Sequence, residues 1–246
     1  MADGTSLKVK IFADGADLQG MKAMYANPVI KGFTTNPTLM KLAGVTDYVE
    51  FAHRVLAAIP DRPVSFEVFA DDFDQMEQQA LEIASWGRNV NVKIPVTNTK
   101  GQFAGPLLTR LAKRGVVLNV TAIFTLDQVR RVGEALSADV PAIVSVFAGR
   151  IADSGIDPVP LMREAANVLK ASRPKAELLW ASPRELLNVI QAEEVGCGII
   201  TCTNDIIKKL ALIGKDQATY SLETVKMFYN DATAAGFSIA TRAAAE

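Results

Sequence analysis

The sequence predicts an α/β fold: a single (β/α)8 TIM-type barrel with an extra C-terminal helix. Three observations predict it. Eight short apolar segments alternate with amphipathic ones along the 246 residues, and regular alternation of strand and helix implies a parallel sheet. Eight such units close into a barrel, for which this length is ordinary. No Pro/Gly/Ser linker, low-complexity tract or charge block interrupts the chain, so one domain over 1–246 is expected. The rival is an open doubly wound sheet, and its phosphate fingerprint G-x-G-x-x-G is absent.

The strands fall at 8–13, 30–35, 64–69, 90–94, 116–121, 142–147, 177–181 and 197–202. A period of two divides each into faces. The first puts Val9 and Ile11 on one side and Phe12, then Asp14, on the other. The third sets Val64, Phe66 and Val68 against Ser65, Glu67 and Phe69. In the fourth, Val90, Val92 and Ile94 alternate with Asn91 and Lys93, and Pro95 ends the strand by removing a backbone donor. The fifth opposes Val116, Leu118 and Val120 to Asn119 and Thr121, and the sixth opposes Val144 and Val146 to Ser145 and Phe147. The aliphatic sets suit a helix-covered outside. The polar sets fall inward near the C-terminal ends, where barrels of this kind place their active sites.

Leu, Ala, Ile and Val at three- and four-residue spacings give helices over 73–86, 103–114, 125–137, 157–172 and 183–194. Gly32, Gly115 and Gly196 stand near helix-to-strand turns, where a positive φ is often required. A last amphipathic helix, about 221–235, carries Leu222, Val225, Phe228 and Tyr229 on one side. That stripe must be buried on its own barrel or on a neighbouring subunit.

Composition excludes several functions. With 49% hydrophobic residues the chain can bury a large core, and 26 basic against 27 acidic residues leave no polyelectrolyte character, so no nucleic-acid partner is expected. The N-terminus lacks a signal-peptide profile and no stretch is long enough to span a bilayer, so a cytoplasmic location and no membrane partner are expected. Cys197 and Cys202 are too few for a disulfide scaffold. His53 is the only histidine and sits in a helical stretch, expected on its surface, which argues against a His/Cys metal cluster and a Ser-His-Asp triad. Chemistry must then run on Lys, Asp, Glu, Thr or Ser, with no cofactor and no metal.

Lys93 alone would also suit an exposed edge strand. Grouped with Asp14, Glu67, Asn119, Thr121 and Ser145, it suits covalent catalysis, because a desolvated amine attacks carbonyls and the resulting imine is an electron sink. Asp14 is the candidate to take the proton from the hydroxyl on the departing carbon. Glu67 and Thr121 are candidates to hold a water, while Asn36, Asn119 and Ser145 can bind a polyol. Arg150 and Arg184, with Ser182 as a helix N-cap and Pro183 at N1, would make an anion site. The plainer alternative is that both arginines pair with surface acids.

Six segments make the chain resemble the transaldolase family, in its short-chain branch, which also holds the fructose-6-phosphate aldolases. They are Asp14-Gly15-Ala16-Asp17, Thr34-Thr35-Asn36-Pro37-Thr38, Val92-Lys93-Ile94-Pro95, Asn119-Val120-Thr121, Phe147-Ala148-Gly149-Arg150 and Ala181-Ser182-Pro183-Arg184. The resemblance implies a metal-independent transferase of carbohydrate metabolism, of the pentose phosphate type, working on sugar phosphates. It implies Lys93 as the Schiff-base residue, Asp14 as acid-base and Glu67 with Thr121 on the catalytic water. Thr34, Asn36, Asn119 and Ser145 would line a dihydroxyacetone pocket, and Arg150, Ser182 and Arg184 a phosphate site. Glu67 and Phe147 resemble the transaldolases, whereas the aldolases have Gln and Tyr there. Gly15, Ala148, Trp180 and Pro183 depart from the family pattern. Trp180 and Pro183 are expected to border the pocket for the substrate's far end, which leaves room for a sulfonate or a longer sugar. The branch's homo-oligomers, decamers with C-terminal helices reaching onto neighbours, are implied for the last helix.

Overall fold

A computed structural model of the chain describes residues 7–173 and 175–239. Residues 1–6, where a leader would begin, lie outside it. The order is β1 (Lys10–Asp14), α1 (Leu18–Tyr25), β2 (Ile30–Thr34), α2 (Pro37–Leu42), α3 (Tyr48–Ala58), β3 (Val64–Glu67), α4 (Phe73–Ser85), β4 (Val90–Pro95) and α5 (Gly105–Lys113). It continues with β5 (Leu118–Ile123), α6 (Leu126–Ala135), β6 (Ala142–Val146), α7 (Ala148–Asp153), α8 (Val159–Ser172), β7 (Ala176–Trp180), α9 (Leu187–Glu194), β8 (Ile199–Cys202), α10 (Asn204–Lys208) and α11 (Gln217–Ala234). Each strand pairs in parallel with the next, and β8 returns to β1 to close the ring. All eight strands read from the sequence are present.

Alternation sorts the core into two parts. Val64, Phe66, Val92, Ile94, Val120, Val144 and Val146 face out and pack under the helices. Phe12, Ile143, Leu179, Ala181 and Ile199 face in and fill the barrel. Burying one large apolar side chain contributes about 1.5–3 kcal/mol, so the outer layer, by number, carries most of the stability. Side-chain oxygens start several helices: Asp17, Asn36, Asp47, Asp72 and Thr125 each accept from backbone N–H groups of the first turn.

Gly115 and Gly196 take φ of 77° and 80° after α5 and α9, the left-handed turn a side chain disfavours. Gly32 has a different reason. It lies within β2 against the ring of Phe12, and a Cβ there would stand 2.5 Å from Cζ. Phe69, expected inward, lies past the end of β3, where the chain has left the pleat; it is exposed, edge-on to Tyr48 at 4.5 Å. His53 is exposed on α3, beside Trp86. Burial pushes the Cys197 and Cys202 thiols up to about 12.

The last helix is the exception to this packing. None of the residues of α11 is buried, and Leu222, Val225, Phe228 and Tyr229 are all exposed. The stripe therefore finds no cover on its own barrel among the described residues. No helix among them is long and apolar enough to cross a membrane.

Candidate active site

A parallel barrel brings all its strand ends to one rim, so the last inward residue of each strand faces a shared mouth. A cavity of about 420 Å3 opens there. Asp14, Thr34, Asn36, Glu67, Lys93, Asn119, Thr121, Ser145, Phe147, Arg150, Ser182 and Arg184 all line it, which is the full set picked from the sequence.

Register accounts for the grouping. Glu67 on β3 pairs with Lys93 on β4, and Lys93 with Asn119 on β5, so three polar side chains stand in a row. Asp14 on β1 pairs with Thr34 on β2. Lys93 is 7% exposed; its amine donates to the Thr35 carbonyl at 2.7 Å and forms an ion pair with the Glu67 carboxylate at 3.1 Å. A charge so far from water persists only with such partners. Asp14 accepts from Thr34 Oγ1 at 2.8 Å. Burial pushes the Asp14 carboxyl above the ordinary range; the Lys93 charge and the Thr34 bond pull it back, and Glu67 adds to the rise.

Asn119 ties three strands together. Its amide donates to Ser65 Oγ at 3.1 Å, and its Oδ1 accepts from Ser145 Oγ at 2.6 Å. Asn36 caps α2, accepting from the Leu39 N–H at 2.9 Å, so only its amide N–H groups are left to donate into the cavity. After Thr121 the register slips between Val120 and Ile123, and Ala122 takes a φ of 60°. That bulge re-aims the end of β5 at the cavity that Thr121 and Ala122 both line.

On the opposite side, the Arg150 guanidinium lies 5.3 Å from the centre of the Phe147 ring. It has no acidic partner among the described residues. Arg184 does have one: Nε and Nη2 donate to the two oxygens of Asp153 at 3.0 and 2.5 Å. The Arg184 side chain thus pairs with an acid and lines the cavity at once. Ser182 is not an N-cap. Its φ of 57° turns the chain back against Gly149, where a Cβ would stand 1.5 Å from the Ser182 carbonyl oxygen. The helix is delayed to Leu187, and Asn188 Oδ1 instead accepts from the Arg184 and Glu185 N–H groups at 2.7 and 3.2 Å.

Residues 11–245 match the family described as Transaldolase/Fructose-6-phosphate aldolase. The chain belongs to that family. A probable transaldolase from Methanococcus maripaludis is 36% identical over 202 residues, spanning 82% of this chain and 89% of that protein. Another from Dehalococcoides mccartyi is 34% identical, over 82% and 90%. The solved structure of KGPDC from Streptococcus mutans superposes with a TM-score of 0.54 at 12% identity, over 81% of this chain and 89% of that one, a likeness of fold alone.

Within this transaldolase/aldolase frame, some site features escape sequence reading. Trp180 does not border the cavity: it follows the inward-facing Leu179, so the pleat turns it outward, where it is fully buried under the helices. Its indole N–H has no partner among the described residues. Pro183 does line the cavity, as does Thr201 on β8, whose hydroxyl lies 2.5 Å from that of Thr34. The parity that picked Ser145 would have picked Thr201, two residues after inward Ile199. Tyr48 on α3 reaches Glu67 from outside, donating to its carbonyl at 3.0 Å and accepting from its N–H at 2.9 Å. Nothing local signals that contact, since β2 ends at Thr34 and leaves these Glu67 groups without a strand partner.

Proposed function

We propose that the chain is a transaldolase that works through an imine on Lys93. It would move a dihydroxyacetone unit from a ketose phosphate, such as fructose 6-phosphate or sedoheptulose 7-phosphate, to an aldose phosphate. The observation that carries this reading is the buried Lys93 amine, 3.1 Å from the Glu67 carboxylate and facing a cavity that Asp14 shares. Glu67 can relieve the ammonium of a proton, and the free amine adds to the ketone carbon. Loss of water gives the iminium. Asp14 takes the proton of the hydroxyl on the departing carbon, and the bond from that carbon to the one next to the iminium breaks. The first aldehyde leaves, and the electron pair stays on the carbon next to the iminium as the enamine. An acceptor aldehyde then forms a new bond at that carbon, Asp14 returns the proton to its oxygen, and water placed by Glu67 and Thr121 frees the product.

Thr34, Asn36, Asn119 and Ser145 offer the hydrogen bonds that hold the three-carbon unit, and Arg150, Ser182 and Arg184 offer the anion site. Phe147 has no hydroxyl with which to protonate the enamine, which favours transfer over release of free dihydroxyacetone. No step needs a metal or an organic cofactor. One barrel domain acts in the cytoplasm, with the bare stripe of α11 covered by a neighbouring subunit, in a homo-oligomer of up to a decamer.

Incubation with a ketose phosphate and borohydride should leave a reduced three-carbon or full-sugar adduct on Lys93, read by mass spectrometry. Absence of any adduct there would end the imine reading. Turnover with and without an acceptor aldose then separates the transferase from the aldolase, and acceptors bearing a sulfonate in place of the phosphate define the anion.

A further inference from the structure

A carboxylate only accepts hydrogen bonds, and a hydroxyl has one proton to give. Thr34 Oγ1 stands 2.8 Å from Asp14 Oδ1 and 2.5 Å from Thr201 Oγ1. When Asp14 is charged, the single Thr34 proton points at Oδ1, so the bond between the two threonines exists only with Thr201 as donor. The chain then has one direction, from Thr201 to Thr34 to Asp14. It commits Oδ1 and leaves Oδ2 as the oxygen to receive a proton from the substrate.

We propose that Thr201 is a positioning residue for proton transfer by Asp14, acting through Thr34 to fix which carboxylate oxygen carries the proton. The inference rests on the reading of Asp14 as the group that takes and returns the sugar's proton. Thr201 and Thr34 are 6% and 4% exposed, and both line the cavity. A donor chain of this kind strengthens the bond to the charged form and opposes the burial that pushes the Asp14 carboxyl up. The titratable groups that face Asp14 from the other elements are Lys93 on β4, Glu67 on β3 and the Cys202 thiol on β8. A change at Thr201 leaves all three in place.

The test compares the intact enzyme with Thr201→Val, which keeps the shape and removes the hydroxyl, and with Thr201→Ser, which keeps the hydroxyl. Thr201→Ala repeats the loss if the valine variant does not fold. Expected for Val is an adduct yield on Lys93 and a donor KM within about twofold of the parent, with kcat lower by about tenfold. The acid limb of its kcat–pH profile should move to higher pH. Ser should restore both kcat and the limb. A valine variant with parental kcat and an unmoved limb overturns the proposal, as does a serine variant no better than valine. Asp14→Asn with parental kcat, or an intact enzyme that forms no adduct, would instead bring down the parent reading, and this proposal with it.

Discussion

The foot and the mouth of the barrel are built from the same inward positions of the same strands, yet they do opposite things. At the foot, Phe12, Ile143, Leu179 and Ile199 make a dry plug, with the Lys10–Glu177 ion pair beneath. Two residues further along, Phe12 gives way to Asp14, Ile143 to Ser145 and Ile199 to Thr201. Two residues of strand span only about 7 Å. Over that distance the barrel changes from a layer whose burial stabilises the fold to one whose burial costs stability. Polar groups in the upper layer are kept by hydrogen bonds and one ion pair; those in the lower layer need only volume.

If that division is right, substitutions in the two layers should separate chemistry from stability. The largest effect belongs to Lys93→Ala, which should lower kcat by about 10⁴-fold or more in a chain that still folds, checked by steady-state kinetics beside calorimetry. Phe12→Ala should do the reverse. It empties the plug beside Gly32, with an expected loss of about 3–5 kcal/mol in denaturant titration, and the adduct on Lys93 should still form in whatever fraction is folded.

Tyr48→Phe sharpens the line between the layers, because the phenol touches the mouth from behind. It leaves the Glu67 N–H and carbonyl without their side-chain partner, for an expected loss of about 1–3 kcal/mol by urea titration, with a smaller drop in kcat. The smallest effect has the opposite sign. The Asp14 carboxyl is raised in the folded chain, so the native state favours its protonated form, and the stability this gives is lost as pH rises through the folded value. Asp14→Asn should therefore melt higher than the parent at neutral pH, while losing activity. Its advantage should shrink as pH falls towards 3.8, the ordinary Asp value, and melting curves across that window would show it.

Most of this architecture could be read along the chain because the strand pleat is local. Alternation in Val90–Ile94 puts Lys93 on the face opposite the aliphatics, and the same parity at Asp14, Glu67, Asn119, Thr121 and Ser145 in the other strands marks that face as the inner one. The rule failed where the chain leaves the pleat. Phe69 lies past the strand end and Ser182 sits at φ 57° rather than at a helix cap. Trp180, within β7, obeys the pleat by facing outward beside the inward Leu179, against what the family resemblance implied. Gly32 was placed at a turn, but its requirement is set by a ring on another strand.

By itself, the sequence determined the strand count, the parallel alternation and the identity of the inward polar residues, because periods of two and three to four residues are fixed by covalent geometry. Tertiary structure alone decided which of those residues meet. The pairing of Glu67 with Lys93, the Tyr48 clamp on Glu67, the Thr201–Thr34–Asp14 chain and the bare face of α11 all depend on register between strands and on helix docking. Those are relations between segments far apart in the chain, and no local pattern encodes them.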